Sequence, residues 1–241
     1  MRIEDLQKRS NPLQKDLTPL ALGYRMPAEW EPHEATWLVW PHDRETWPRE
    51  LAELQAAYVE MVEYLHSSEK VHILVQDEEA GRFVSQKLNE RGIAKNIFVH
   101  QVKTDSPWIR DYGPIFVVKK GKLALTNWIF NAWGRKYEPF DQDDLVPKRI
   151  AKLVNAEGFS AEMVLEGGSV DVNGLGTCMT TEECLLSPNR NPDLRRKGIQ
   201  TRLHDFLGIN HVIWLKRGIE GDDTDGHVDE IARFVDPKTV V

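Results

Sequence analysis

The chain has 241 residues, 41% hydrophobic and 29% charged, which suits one sizeable globular domain over residues 1–241 and excludes a disordered chain. Against 31 Lys and Arg stand 38 Asp and Glu, a formal net charge of −7, so there is no electrostatic footprint for nucleic acid or an anionic membrane, and a small cationic partner fits better. The opening MRIEDLQKRSNPLQKDL has no apolar run and nothing later approaches the roughly 18 consecutive apolar residues of a spanning helix, so a cytoplasmic location is expected.

In chain order, Trp30, Trp37, Trp40 and Trp47 come first, a cluster that suits either core packing or the lining of a cation pocket. Strand-like runs rich in Val, Ile, Phe and Trp follow: EATWLVW from Glu34, KVHILVQ from Lys70, NIFVHQV from Asn96, GPIFVV from Gly113, LALTNWIF from Leu123 and HVIWLK from His211. Two hairpins are predicted, one turning at Lys119-Lys120-Gly121-Lys122 and one at Asn173-Gly174, the latter with a type I′ signature. Leu51, Leu54, Tyr58, Met61, Val62 and Leu65 form one helical stripe, and further helices are predicted near 78–91, 144–157 and 192–207. Strands in pairs beside a helix depart from the strict alternation of a doubly wound sheet and predict repeated small mixed units in one α/β domain. The end, DEIARFVDPKTVV, starts a new strand-like run just after another, so a continuation beyond Val241 is expected.

Three polar tracts carry chemistry. In the first, Asp105 to Pro114, Trp108, Arg110 and Asp111 precede a Gly-Pro turn; an Arg110–Asp111 salt-bridged turn is one reading. In the second, Glu166 precedes Gly167 and Gly168, which suits a turn but also lets a ligand approach the backbone beside a carboxylate. The third, Gly221 to Glu230, is the densest acidic run. It is no EF-hand, because with Gly226 at the sixth position the first and twelfth fall on Gly221 and Ala232. If His227 begins a strand, His227 and Asp229 share a face. No metal is expected, since His204 and His211 add no ligand spacing. Cys178 and Cys184 are too few for a disulfide framework. Carboxylates gathered around one His are costly unless they meet a cation, and a planar guanidinium meets that need with its fork of N–H donors.

These tracts, with MPAEWEPHEATWLVWPHDRETWP from Met26, DSPWIRDYGP, NAWGRKYEPFDQDD, LEGGSVDVNGLGTCMTTEECLLSPNRNP and DDTDGHVDE, resemble the agmatine deiminases and bacterial-type peptidylarginine deiminases of the guanidine-modifying superfamily. The resemblance implies a pentein-type α/β propeller of ββαβ-like units, incomplete at the C-terminus, and a hydrolase acting on C–N bonds of linear amidines without a cofactor. It implies that Asp111 and Asp229 grip the guanidinium, Glu166 bonds to it and orients His227, His227 is the general acid/base, and Trp108 lines the channel. The family's nucleophile is a Cys in a Gly-rich segment, which would lie beyond Val241, so Cys178 and Cys184 are expected to be inert and these 241 residues inactive. The implied reaction takes agmatine to N-carbamoylputrescine and ammonia in putrescine biosynthesis, by a homodimer. Glu230, where agmatine deiminases often carry Asn, and Tyr112 keep peptidyl-arginine open as substrate; a non-catalytic guanidinium binder is the rival class. The acids Glu220, Asp222 and Asp223 are candidates to meet agmatine's distal amine.

Overall fold

The β-branched run at Lys70–Val75 and its neighbours build a parallel sheet, of β1 (Ala35–Val39), β2 (Lys70–Val75) and β3 (Ile97–Gln101), in the computed structural model, which describes residues 17–43 and 47–241. The reading of residues 1–16, and of 44–46 within the Trp-rich motif, lies outside the described residues. Parallel neighbours need crossovers, supplied by α1 (Leu51–Leu65) and α2 (Glu78–Glu90). The Asp77 side chain starts α2 by accepting a hydrogen bond from the Ala80 amide at 2.8 Å. Val59 and Val62 of α1 and Val84 and Leu88 of α2 pack on Val71, Ile73 and Val75. Of the predicted stripe, Val62, Tyr58 and Leu65 pack in this cluster and Leu51 and Leu54 are half-buried, whereas Met61 is 40% exposed. This first unit alternates strand and helix strictly, contrary to the expectation of paired strands throughout.

The second and third units do carry paired strands. In the second, β4 (Ile115–Lys119) and β5 (Lys122–Ile129) form the expected hairpin, with Lys120 and Gly121 at φ of 42° and 77° in its turn. Before and after that hairpin lie three four-residue helices: α3 (Ile109–Tyr112), α4 (Ala132–Arg135) and α5 (Asp141–Asp144). α6 (Val146–Leu153) then crosses over to β6 (Glu157–Val164), parallel to β5. The helix predicted over 144–157 therefore stops early. Its last residue opens a strand whose Glu157, Gly158 and Glu162 hid it from a hydrophobicity reading.

In the third unit β7 (Asp171–Val172) pairs antiparallel with β8 (Thr177–Thr181), and after α7 (Glu182–Leu185) and α8 (Arg196–Leu207) the chain returns as β9 (His211–Leu215), parallel to β8. The predicted type I′ turn is replaced by a four-residue loop. Only Gly174 and Gly176 have positive φ there, and the Asn173 carboxamide oxygen accepts from the amides of Leu175 and Thr177 at 2.9 and 3.0 Å. The helix predicted from 192 begins at Arg196. A last hairpin, β10 (Phe234–Asp236) with β11 (Thr239–Val240), forms a separate two-stranded sheet.

Adjacent units share their interiors. Val39 and Leu74 of the first unit pack with Tyr112, Phe130, Val146 and Ile150 of the second. Val117, Ala161 and Met163 of the second join Val172, Ile199, Leu203 and Leu207 of the third. Met179 packs with Val228 and Phe234. Among the described residues no helix is long and apolar enough to cross a membrane.

Candidate active site

The segments after β3, after β6 and before β10 bring Asp111, Glu166, His227 and Asp229 together. Asp111 sits on α3 and is buried; one carboxylate oxygen accepts from the Trp133 indole at 3.0 Å and the other from the Gly168 amide at 3.1 Å. Its neighbour Arg110 points away and donates to Glu29 at 2.6 Å, so the tract is not an Arg110–Asp111 pair. Glu166 follows β6 and has no exposed surface. The Arg190 Nε donates to both its oxygens, at 2.9 and 3.0 Å.

His227 does not begin a strand: it precedes a 3-10 turn over Val228–Glu230, and that turn, not strand alternation, returns Asp229 beside it. The His227 ring, 2% exposed, has Nε2 at 3.7 Å from Glu166 and Nδ1 at 3.6 Å from Asp111 and 3.9 Å from Asp229. These are ion-pair separations rather than closed hydrogen bonds. His227 Nε2 and Asp229 Oδ1 are buried without a hydrogen-bond partner. Gly168 makes the convergence feasible, because a Cβ there would lie 2.5 Å from His227 Nδ1 and 2.8 Å from both aspartates.

Burial pushes the Asp111 carboxyl up to about 6, helped by the Glu166 charge and opposed by His227, Trp133 and Gly168. Burial also raises Asp229, against the pull of His227, Arg110 and Arg233. Burial works against Glu166 too, yet His227 and Arg190 outweigh it and hold its carboxyl below the usual range. For His227, burial disfavours the cation, but Glu166, Asp111 and Asp229 prevail and raise its pKa. Arg190 thus answers Glu166, leaving Asp111 and Asp229 with more negative charge than one imidazolium balances. That surplus is what a planar cation would meet.

Trp108, half exposed, lies three residues before Asp111 with its ring 5.8 Å from Trp47. Trp40 is core, whereas Trp37 stacks on His72 at 4.2 Å. Asp222 closes its own loop, accepting from the amides of Thr224 and Gly226 at 2.8 and 3.1 Å, and the Asp223 carbonyl accepts from Lys136 at 2.7 Å. Asp222 is therefore committed to the loop.

Two residues of the site escaped sequence reasoning. Trp133 belongs to residues 132–135, all at positive φ (51°, 55°, 83° and 66°), a strained backbone that delivers its indole to Asp111. Arg190, in the SPNRNP turn, is 4% exposed. A polar turn rich in Asn and Pro reads as surface, and only a buried carboxylate facing it could have drawn it inward.

Cys178 and Cys184 are free and fully buried, and burial pushes both thiols far above their ordinary range. Cys184 Sγ lies 3.6 Å from Glu166. Among the described residues, Glu166, Cys184 and His227 are the one group whose donor atoms converge closely enough for a metal. The guanidinium on Glu166 and the protonated thiol oppose a second cation there.

Comparison with known proteins matches this architecture. The profile of the family described as Porphyromonas-type peptidyl-arginine deiminase matches residues 25–241. An agmatine deiminase of Pseudomonas aeruginosa (strain LESB58) is 40% identical over 230 residues, covering 93% of this chain and 61% of the relative. The agmatine deiminase of Enterococcus faecalis superposes with a TM-score of 0.86 at 36% identity, covering 93% of this chain and 61% of that one. A substrate-bound C. jejuni agmatine deiminase superposes with a TM-score of 0.81 at 34% identity, covering 90% and 63%. The expected pentein-type α/β architecture is therefore the observed one, and the 241 residues span 61% of the length of the P. aeruginosa relative. With the matched profile covering all but the first 24 residues, the chain belongs to the Porphyromonas-type peptidyl-arginine deiminase family.

Proposed function

We propose that this chain forms one catalytic domain carrying the guanidinium-binding and acid/base half of an agmatine deiminase. The observation that supports this reading most is the convergence of Asp111, Asp229 and Glu166 on His227 over the bare backbone of Gly168. In the proposed reaction a thiolate forms a bond to the guanidinium carbon while Asp111 and Asp229 hold the positive charge on the nitrogens. His227 donates its proton to the departing nitrogen, the C–N bond breaks and ammonia leaves. The neutral imidazole then takes a proton from water, whose oxygen attacks the same carbon. The C–S bond breaks and the ureido product is released. No step needs a cofactor.

The buried, protonated thiols of Cys178 and Cys184 are poor nucleophiles, so the thiolate is proposed to come from the part of the family's length that these residues do not span. Trp108 is proposed to line the substrate entrance. Glu166, held by Arg190, is proposed to act on His227 rather than to grip the substrate, a change from the role implied by resemblance. Agmatine as substrate is supported by the relatives' names; N-carbamoylputrescine as product, a place in putrescine biosynthesis and a cytoplasmic location are proposed with it. Peptidyl-arginine is the second reading, favoured by the description of the family profile.

The test compares agmatine, free arginine and an arginine-containing peptide, by calorimetry on the 241-residue chain and by ammonia release from a chain extended to the relatives' length. We expect agmatine to bind best, the short chain to release no ammonia, and Asp111→Asn and His227→Ala to lower turnover of the extended chain by about 100-fold or more. Equal binding of all three compounds would overturn the substrate assignment.

A further inference from the structure

Glu166 faces His227 with one oxygen at 3.7 Å, yet none of its surface reaches solvent. A carboxylate that deep stays ionised only if a fixed positive charge and hydrogen bonds replace water. Arg190 is the residue in that position, its side chain 1% exposed. Its Nε bridges both Glu166 oxygens, and its Nη2 donates to the Thr224 carbonyl at 2.5 Å. Thr224 in turn accepts the His227 amide on its hydroxyl at 3.3 Å. One guanidinium therefore holds the acid and the loop that presents the base.

The turn carrying Arg190 is itself fixed to the other site elements. Asn191 accepts from the Val164 amide and donates to the Val164 carbonyl, both at 3.1 Å, two residues before Glu166. The Asn189 carbonyl accepts from the Asn131 side chain at 2.9 Å, at the base of the turn that delivers Trp133 to Asp111. Arg190 thus sits where the segments bearing Glu166, Trp133 and His227 meet.

We propose that Arg190 is the positioning residue of this site, holding Glu166 as a carboxylate against His227 and fixing the loop from which His227 projects, so that the imidazole keeps its proton until the leaving nitrogen takes it. The last clause rests on the proton-transfer role proposed above; the action of Arg190 on His227 does not. The groups facing His227 are Asp111 on α3, Glu166 after β6 and Asp229 in its own turn. Behind them, Arg190 and Cys184 face Glu166, while Arg110 and Arg233 act on Asp229. Removing the Arg190 charge has two opposed consequences. Directly, it favours the His227 cation; through Glu166, which then takes up a proton, it removes the nearest partner of Nε2. With Glu166 out of water, the second effect dominates.

The experiment is an NMR titration of the His227 ring in the 241-residue chain. In Arg190→Gln we expect the His227 midpoint to fall by about one pH unit or more. Glu166→Gln, which keeps the Arg190 charge, should lower it at least as far, and the double variant no further than Glu166→Gln alone, because Arg190 acts through Glu166. An unchanged or raised midpoint in Arg190→Gln, or additive shifts in the double variant, would overturn the proposal. A merely structural role would lower stability without moving the midpoint. If Arg190→Gln does not fold, Arg190→Lys keeps the charge and remains readable. A midpoint nearer wild type than Glu166→Gln supports the proposal, and one equal to Glu166→Gln overturns it. Since the titration needs no substrate, its failure and failure of the deiminase reading are separate results.

Discussion

Asp111 shows how the site's electrostatics become measurable. Its carboxyl titrates at about 6 when folded against 3.8 as a free side chain, so the folded chain binds more protons between those values. Stability is therefore lost as pH rises from about 4 to about 6, by on the order of 3 kcal/mol from this group, and the loss persists above that window. We expect urea midpoints to show this as a wild-type pH dependence that Asp111→Asn removes in part. A cation bound at Asp111 must displace the same proton. Guanidinium affinity should therefore be about tenfold weaker at pH 5 than at pH 7, with proton release visible when calorimetry is repeated in buffers of different ionisation enthalpy. Gly168→Ala tests the geometry instead. Its methyl group would meet His227 and both aspartates, so binding should fall by at least about tenfold and stability by about 1–3 kcal/mol, read by calorimetry and urea unfolding.

Short connecting elements, more than the sheets, aim these side chains. β6 loses regular register against β5 between Asn127 and Ile129, and Glu162 there has φ of 51°. Such irregularities redirect a strand beside a site, and this one precedes Glu166 by four residues. Asp143 on α5 fixes the tract before α3, accepting from the amides of Asp105 and Ser106 and from the Ser106 hydroxyl at 2.7, 3.1 and 2.8 Å. Asp143→Ala leaves those donors without their acceptor and should cost about 2–3 kcal/mol in urea unfolding. Asp143→Asn, which keeps an acceptor, should cost less.

The shared interiors tie the units to one another. Leu203 of α8 is fully buried in the cluster that joins the second unit to the third. Leu203→Ala should lower stability by about 2–5 kcal/mol. Because that core spans both units, fluorescence and far-UV circular dichroism should report coincident unfolding; separate transitions would mean that the units unfold independently.

The sequence by itself determined most of the strands, α1 and α2 to within a few residues and the Lys-Gly hairpin, and it singled out Asp111, Glu166, His227 and Asp229 as candidates for the site. The elements were legible because hydrophobic periodicity is local, and the four candidates because their tracts together resemble the motifs of a known family. Only the tertiary structure decided how those four meet. The His227–Asp229 pairing comes from a 3-10 turn, the burial of Glu166 depends on an arginine 24 residues away, and Asp111 is held by an indole from a left-handed turn. The turn is local but its residues also suit the start of a strand, and the other two leave no local signal, because each is a contact between segments whose own sequences are satisfied equally well by a solvated loop. The physical reason is the cost of burying charge: the carboxylates are tolerated inside only where the fold brings distant donors to them, and that supply is a property of the assembled units.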